Sequence, residues 1–592
     1  MRLGMGSRSR WAERFDRRLV AAQKALDEEL APLEDALPAR LAPLSPTQQR
    51  SASPWPDVWN LTPSVAVDEA ALRAALTFSF IAEDDNGAIQ GALDQAPIAA
   101  SSFEPECFFR ELYVSELVQQ CMQPRHDGAV ARVHRSFVLR VLSQPANDVR
   151  VSLHRQALWR ELLADAETRA ALEQSQKRLG QLLSLLRGQG QQVGIRGEQA
   201  RRRIDILKAL HAVFEPLAAP AFARCQSALS RLAHFAEHVR SAPGYARLSD
   251  LLHYERERAY ADLSVQLSAD GNVRDLRLHA LREDKQSRFH TPLLWRWLGR
   301  SWLWLKGYRI TEGEVLDRWL DQVFEGMLEF LPALVQLSGD LDVLLSGLAF
   351  HDCCTARGMT TSFASFVGPD EDEQVDGLFN PLLFALEIKP ITCDLRLSGR
   401  RTATLITGPN SGGKTRLLQA LGILQLCAQA GMPVPAAAAR LRFVPGIFAS
   451  LTQPSGAEQA EGRLGTELLR IRMLFERAEL GSLLLIDELC SGTSPSEGEE
   501  LFRMVLELLG ELKPKAFVST HFLAVAADLE TQPAGLELGF LQVQLDDDER
   551  PTHRFVSGVA PTSLARRTAQ RLGVTRDELK ALATLKQRTA AE

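Results

Sequence analysis

No CxxC pair and no disulfide-like spacing occurs among the eight cysteines of the 592-residue chain (Cys107, Cys121, Cys225, Cys353, Cys354, Cys393, Cys427 and Cys490). That excludes a disulfide-stapled secreted scaffold and fits a reducing cytoplasm. An excess of positive charge is also lacking. The formal net charge is −6, which argues against a broadly basic nucleic-acid coat while leaving room for a local basic patch. The N-terminus carries Arg2, Arg8, Arg10, Arg14, Arg17 and Arg18 without the apolar run of a signal peptide. No internal repeat stands out. One cluster has ligand-type residues, His351-Asp352-Cys353-Cys354, but no second cluster stands at metal spacing, so it reads as a stretch of core helix.

What is present is the profile of a folded protein: 45% apolar and 24% charged residues. The length alone corresponds to about four domains. Residues 1–63 read as an N-terminal arm and a proline-rich linker, with Pro38, Pro43, Pro46, Pro54, Pro56 and Pro63 breaking any regular helix. Residues 64–145 show apolar spacings of three and four, as in Leu112, Val114, Leu117 and Val118, which predict helices. Within them Phe109-Arg110-Glu111 matches the Phe-x-Glu pattern of mismatch readers, yet it falls inside an expected helix over 107–120 and reads as coincidence.

A longer helical region spans 146–377, with Pro216, Pro220 and Pro243 as expected helix ends and a β-hairpin over 262–280 turning at Asp270-Gly271. Inside it, residues 292–308 interleave Trp295, Trp297, Trp302, Trp304 and Tyr308 with Arg296, Arg300 and Lys306. This reads first as a tryptophan-packed helix with snorkelling cations. Base stacking and a membrane surface are the rival readings, and the charges interrupt the segment too often for it to span a bilayer.

The chemistry lies further on. Thr402–Thr407 is β-prone and residues 416–430 have helical spacing, so Gly408-Pro409-Asn410-Ser411-Gly412-Gly413-Lys414-Thr415 stands between a strand and a helix, where a phosphate-binding loop must be. Glycines at 408, 412 and 413 let backbone N–H groups face phosphate oxygens, and the helix N-terminus adds a favourable dipole. Lys414 is expected to reach the β- and γ-phosphates of ATP and Thr415 to offer its hydroxyl to Mg2+. Leu483-Leu484-Leu485-Ile486 reads as a buried strand that delivers Asp487, for Mg2+, and Glu488, as general base, to the C-terminal edge of a parallel sheet. Ala516-Phe517-Val518 reads as another strand and carries His521 to that edge as a γ-phosphate sensor.

These residues resemble the MutS family of ATPases. Thr407-Gly408-Pro409-Asn410 with the following Ser411-Gly412-Gly413-Lys414-Thr415 looks like that family's phosphate loop. Asp487-Glu488-Leu489-Cys490-Ser491-Gly492-Thr493-Ser494 looks like its Asp-Glu-Leu-Gly-Arg-Gly-Thr-Ser segment, Ser519-Thr520-His521 like its Thr-His switch, and Asn380-Pro381-Leu382-Leu383 like the His-Pro-Leu-Leu that leads into its ATPase domain. His154-Arg155-Gln156 resembles the Tyr-Arg-Gln that often begins the family's core domain. The match is firm over about 378–565 and diffuse over about 145–360.

The resemblance implies an α + α/β fold: a mainly helical core and lever region, then a C-terminal P-loop, ABC-like ATPase domain over 378–565 and a basic helical tail over 566–592. It implies a cytoplasmic, homodimeric, Mg2+- and ATP-dependent switch that binds DNA, closest to the branch without a mismatch-reading domain, and here without the small MutS-related nuclease domain. A ribosome- or RNA-associated switch and a membrane-surface ATPase are the alternatives. One departure bears on mechanism. The helix start that in the family carries a serine reaching the partner's γ-phosphate falls on Gly462-Arg463-Leu464, and Cys490-Ser491 replaces Gly-Arg. Slow hydrolysis is therefore expected, with backbone N–H groups at Gly462 or the Arg463 charge standing in for the serine.

Overall fold

The computed structural model describes residues 55–70, 72, 88–126, 128–187, 196–256, 260–267, 273–282, 320–399, 403–451, 462–490, 494–532, 537–561, 574, 576 and 578–581. The N-terminal arm, the Trp-rich 292–308 segment, Ser491-Gly492-Thr493 and most of the 566–592 tail lie outside them. Helix and sheet are mixed. The chain forms two compact units, one containing residues 98–163 and 342–592, the other 42–97 and 164–341. Segments that the sequence division placed before residue 378 thus belong to the same unit as the glycine-rich loop.

That unit is built on a six-stranded sheet. Its strands are β1 (Ala403–Thr407), β2 (Ile447–Ser450), β3 (Leu483–Ile486), β4 (Lys515–Ser519), β5 (Leu538–Leu545) and β6 (Pro551–Ser557). Their order is β2-β3-β4-β1-β5-β6, parallel throughout except for the antiparallel edge strand β6. Every residue of β1, β3 and β4 is buried, which is why β3 reads as an unbroken apolar run and not as an alternating one.

Helix α1 (Lys414–Ala430) leaves the loop after β1 and is buried along nearly its whole length. A helix buried on every side has to satisfy its polar side chains internally. Gln425 donates to Arg442 O (2.9 Å), and Gln429 exchanges bonds with Val444, donating to its O at 2.9 Å and accepting from its N at 3.0 Å. Its far side is covered by chain from before residue 164: a Cβ at Gly422 would meet Leu112 at 2.5 Å, and Ser152 Oγ donates to Gln429 O at 2.6 Å. The last contact comes from the helix Val149–Ala164, in which Arg155 and Gln156 are buried and Gln156 donates to Ala364 O. The Arg-Gln pair therefore packs this helix within the same unit as α1.

A second sheet of four strands, in the order Ser365–Val367, Ala438–Arg442, Glu373–Leu378, Cys393–Leu397, packs nearby. It is tied to β4 by a buried ion pair between Lys515 and Glu373. Burial pushes the Lys515 ammonium down while Glu373 pulls it up; Glu373 also accepts from Arg442 N at 2.9 Å. Breaking such a pair would leave one charge buried alone, a cost of about 3–5 kcal/mol.

Phe109-Arg110-Glu111 does not lie in a helix. The helix begins at Val114, after a short 3-10 turn over Pro105–Cys107. Phe109 is buried and Glu111 accepts from Leu451 N at 3.0 Å, so both serve this unit's interior. Cys353 and Cys354 do lie in the helix Leu331–Thr355, with Cys354 buried and Asp352 exposed.

The other unit is helical, with Ala166–Leu186, Arg196–Leu217, Pro220–Arg224, Ser230–Ser241 and Pro243–Arg256 as its main described helices. Tyr260–Leu267 pairs antiparallel with Val273–Arg282, the hairpin expected from the alternation. Residues 55–63, read from the sequence as linker, are instead packed: Val58 and Trp59 are buried. Asp57 accepts from the backbone N–H groups of Trp59, Asn60 and Ser64, and the Arg231 guanidinium donates to the carbonyls of Asp57, Asn60 and Leu61. Side chains satisfy here what prolines deny to a regular helix.

Candidate functional site

The glycine-rich loop leaves β1 through Gly408, whose φ is +133°, and closes on α1 through Gly413, with φ +91° at the N-cap. Both conformations exclude most side chains. Space is as restrictive as conformation. A Cβ on Gly408 or on Gly412 would come within 2.7 Å of Val543 in β5. Gly412 N donates to Pro409 O at 2.9 Å, which closes the loop into a tight turn around the start of the helix.

Lys414 is buried, and its Nζ curls back into the loop, donating to Gly408 O (3.0 Å), Pro409 O (3.3 Å) and Asn410 Oδ1 (3.5 Å). Burial pushes its ammonium down, while the carboxylates of Glu488 and Asp487 pull it up. A cation held in this way, with no carboxylate in direct contact, has its charge available to an anion in the loop.

Asp487 follows β3, and its N–H donates to Ser450 O at 2.9 Å, so the strand pairing that builds the sheet also fixes the carboxylate. One carboxylate oxygen accepts from Thr415 Oγ1, the residue after Lys414, and the other from Ser519 Oγ at the end of β4. Ser519 Oγ in turn accepts from Glu488 N at 3.0 Å. Three neighbouring parallel strands, β3, β4 and β1, thereby bring Asp487, Ser519 and Thr415 into one hydrogen-bonded cluster at their C-terminal ends, where ligands of open α/β sheets bind.

Glu488 and Cys490 have φ of +51° and +63°. Left-handed backbone at two non-glycine residues of one turn is strain of a kind that collects at functional sites. Burial pushes the Cys490 thiol up to about 11. His521 lies two residues past Ser519, exposed, with its ring 4.2 Å from that of Phe522, so among the described residues it stands beside the cluster and not within it. Asn410 and Ser411 are exposed at the loop's tip.

The Asn380-Pro381-Leu382-Leu383 segment supports the site from behind. Asn380 Oδ1 caps the 3-10 turn Pro381–Leu386 by accepting from Leu382 N, and its Nδ2 donates to Arg416 O at 2.9 Å and Gln419 Oε1 at 3.3 Å on the first turns of α1. Helix α2 (Gly462–Arg477) begins at Gly462, where the resemblance puts the family's serine-bearing helix start; the side chains of Gly462, Arg463 and Leu464 lie outside the described residues.

Sequence reasoning missed two residues. Ser519 was read only as the start of a Ser-Thr-His triplet, yet it joins both carboxylate residues; its place at the end of a strand beside the Asp487 strand was the available signal. His553 in β6 was not singled out at all. Its Nδ1 lies 3.5 Å from where a Cβ on Gly413 would be, and its own φ is +58°. Only the pairing of β5 with β1 and of β6 with β5 carries this residue from the far end of the chain to the loop's edge, so no local pattern announces it.

The sequence profile described as MutS domain V matches residues 404–583. Among curated relatives, the endonuclease MutS2 of Streptococcus thermophilus is 35% identical over 211 residues, covering 35% of this chain and 26% of the relative. That of Fusobacterium nucleatum is 36% identical over 171 residues, 29% of this chain and 22% of the relative. That of Thermus thermophilus is 31% identical over 278 residues, 47% of this chain and 36% of the relative. The matched part thus spans about a quarter to a third of the length of these relatives. Domain V is the ATPase domain of its family, and the glycine-rich loop and strands β2 to β6, with all of β1 but Ala403, fall within the matched range. On this profile and these relatives, residues 404–583 carry the domain V of the MutS family.

Proposed function

We propose that the protein is a Mg2+-dependent ATPase acting as a homodimeric, DNA-binding switch in DNA repair or recombination control, without reading base mismatches. The observation that carries the nucleotide part is the cluster of Lys414, Thr415, Asp487, Ser519 and Glu488 at the ends of three adjacent parallel strands. The residues fit the groups they would hold. The loop has no room for a Cβ at Gly408 or Gly412, as close approach of backbone to phosphate requires, and Lys414 already points into it. A threonine hydroxyl and an aspartate oxygen facing one another are the hard oxygen donors that Mg2+ prefers.

Thr415 and Asp487 would hold the ion, whose contribution is to neutralise charge on the phosphate oxygens. Lys414 would exchange loop carbonyls for phosphate oxygens. Glu488, set by its left-handed backbone and its N–H bond to Ser519, would accept the proton of the attacking water. His521 would face the γ-phosphate side from the end of β4. Exposed apolar residues on α2, Leu468, Leu469 and Met473, support a homodimer, because a soluble surface seldom leaves such a stripe bare without a partner. Slow turnover follows from Gly462-Arg463-Leu464, which offers no serine to a partner's phosphate. The DNA assignment rests on the family.

Glu488→Gln is expected to bind ATP and keep it. Offered mismatched, perfectly paired and four-way-junction DNA together with ribosomes, the trapped protein should retain DNA without preferring the mismatch, and retention should fall steeply as salt rises. Ribosomes retained with no DNA at low salt would replace the DNA reading with the RNA-associated one. Wild-type turnover at the rate of fast P-loop ATPases would remove the switch reading.

A further inference from the structure

Four cysteines far apart in sequence lie within the unit that contains the glycine-rich loop. Cys121 ends the helix Val114–Cys121, Cys353 and Cys354 lie in the last turn of the helix Leu331–Thr355, and Cys427 lies in α1. All are reduced in the structure. They differ in access and in company. Cys121, Cys354 and Cys427 are buried, whereas Cys353 is half-buried and reaches solvent. Arg357 Nη1 donates to Cys353 Sγ at 3.1 Å and to Cys353 O at 3.1 Å. Cys121 Sγ lies 3.8 Å from Pro381 O, and the Arg357 guanidinium that holds Cys353 stacks over Phe384 at 4.9 Å, so both thiols border the 3-10 turn Pro381–Leu386.

We propose that Cys353 and Cys121 are an oxidisable thiol pair, with Cys353 attacking a hydroperoxide and Cys121 resolving the product to a reversible disulfide. The chemistry of the surroundings assigns the two roles. Cys121, then Arg357 and Arg125, draw the Cys353 thiol down against its burial and Asp352. Cys353 and burial push Cys121 up, so it keeps the proton. A half-exposed thiol beside a guanidinium, with a second thiol at the same turn, is the arrangement of a peroxide-sensitive cysteine and its resolving partner. Cys354 and Cys427 are pushed up by burial and are shielded, which leaves Cys353 as the entry point.

In the first step the Cys353 sulfur attacks one peroxide oxygen, the O–O bond breaks, and hydroxide (or alkoxide) leaves with the electron pair, giving a sulfenic acid. In the second the Cys121 sulfur attacks Cys353, the S–O bond breaks, and the departing hydroxide takes the Cys121 proton as water. The two thiols supply the two electrons that reduce the peroxide. The new bond would staple the end of the Leu331–Thr355 helix to the segment beside Pro381, the turn whose Asn380 holds the start of α1.

Peptide mapping of the full-length wild-type protein after stoichiometric hydrogen peroxide tests this. The expected product is a cross-link between the tryptic peptides 111–125 and 319–357, lost on addition of dithiothreitol and retained in Cys354→Ser. Cys121→Ser should leave Cys353 as a sulfenic acid that a cyclic 1,3-dione traps, and Cys353→Ser should leave Cys121 unoxidised. Before oxidation, Cys353 should alkylate on the order of tenfold faster at neutral pH than Cys107 or Cys490. Cross-linking through Cys354, an inter-chain disulfide, oxidation of Cys353 to sulfinic acid alone, or no oxidation at all would each overturn the proposal, and the wild-type map gives this answer whether or not a variant folds.

Discussion

Gly408 and Gly412 exclude a side chain for different reasons, and the difference can be measured. A Cβ at either position collides with Val543 at 2.7 Å, but Gly408 also has φ +133°. Gly412→Ala should cost about 1–3 kcal/mol of overpacking and weaken nucleotide binding, and a second change, Val543→Ala, should restore much of both. Gly408→Ala should not be rescued by Val543→Ala, because the strain lies in its own backbone; isothermal titration with a nonhydrolysable ATP analogue on the four variants reads this. Lys414 gives a pH dependence with a definite sign. Burial holds its ammonium pKa below the ordinary lysine value, and phosphate in the loop would favour the charged form. Nucleotide affinity should therefore fall as pH rises through the depressed pKa of the free protein, with proton uptake on binding in that window. The unfolded chain, with its normal lysine, binds more protons there, so the Lys414 contribution makes the free protein more stable as pH rises through the same window. Calorimetry in two buffers of different ionisation enthalpy measures the uptake.

Among the elements, α2 divides its two faces most clearly. Leu474 is buried against the unit, whereas Leu468, Leu469 and Met473 are exposed. Arg477, at its end, bridges Glu104 (3.1 Å) and Glu106 (2.9 Å) at the surface. Leu469→Asp with Met473→Asp should leave the thermal melt of the monomer within about 0.5 kcal/mol of wild type, since exposed positions tolerate such changes, but should abolish dimerisation seen by analytical ultracentrifugation with ATP. A dimer that persists would put the interface elsewhere. The carboxylate turn after β3 is the second telling element. Its strand was legible from Leu483-Leu484-Leu485-Ile486, and the structure ends it at Ile486 as that run implies; the left-handed conformations of Glu488 and Cys490 were not legible, because neither residue type favours them.

At the scale of the whole molecule, the matched range 404–583 does not contain all of the cover of its own buried helix. Helix α1 is buried on all sides, and part of its cover comes from Leu112, Ser152 and Arg155. A fragment beginning at residue 378 should expose that face and melt with low cooperativity or aggregate, whereas adding residues 98–163 in trans or by fusion should restore a cooperative transition. Circular dichroism melts of the two decide it. The unit's dependence on an early segment was not visible in the sequence, where His154-Arg155-Gln156 suggested only the start of a helical domain. Residues 55–63 make the same point in the other unit, since a proline-rich stretch that reads as linker is fastened by Asp57 and by Arg231 from far along the chain.

Local sequence sets the order and kind of the chemical parts: a glycine-rich loop between strand and helix, Asp487-Glu488 after an apolar run, His521 after another. Each is local, because strand, turn and helix propensities and the spacing of phosphate-loop residues act within about ten positions of the chain. Which of these parts touch is set by how the whole chain packs. That Ser519 links both carboxylate residues, that His553 borders Gly413, that Val543 limits Gly408 and Gly412, and that Cys121 and Cys353 border one turn all depend on strand order and helix packing between positions tens to hundreds of residues apart. Such contacts are fixed by burial of the shared core, which is a property of the whole chain and leaves no signature in any one stretch of it.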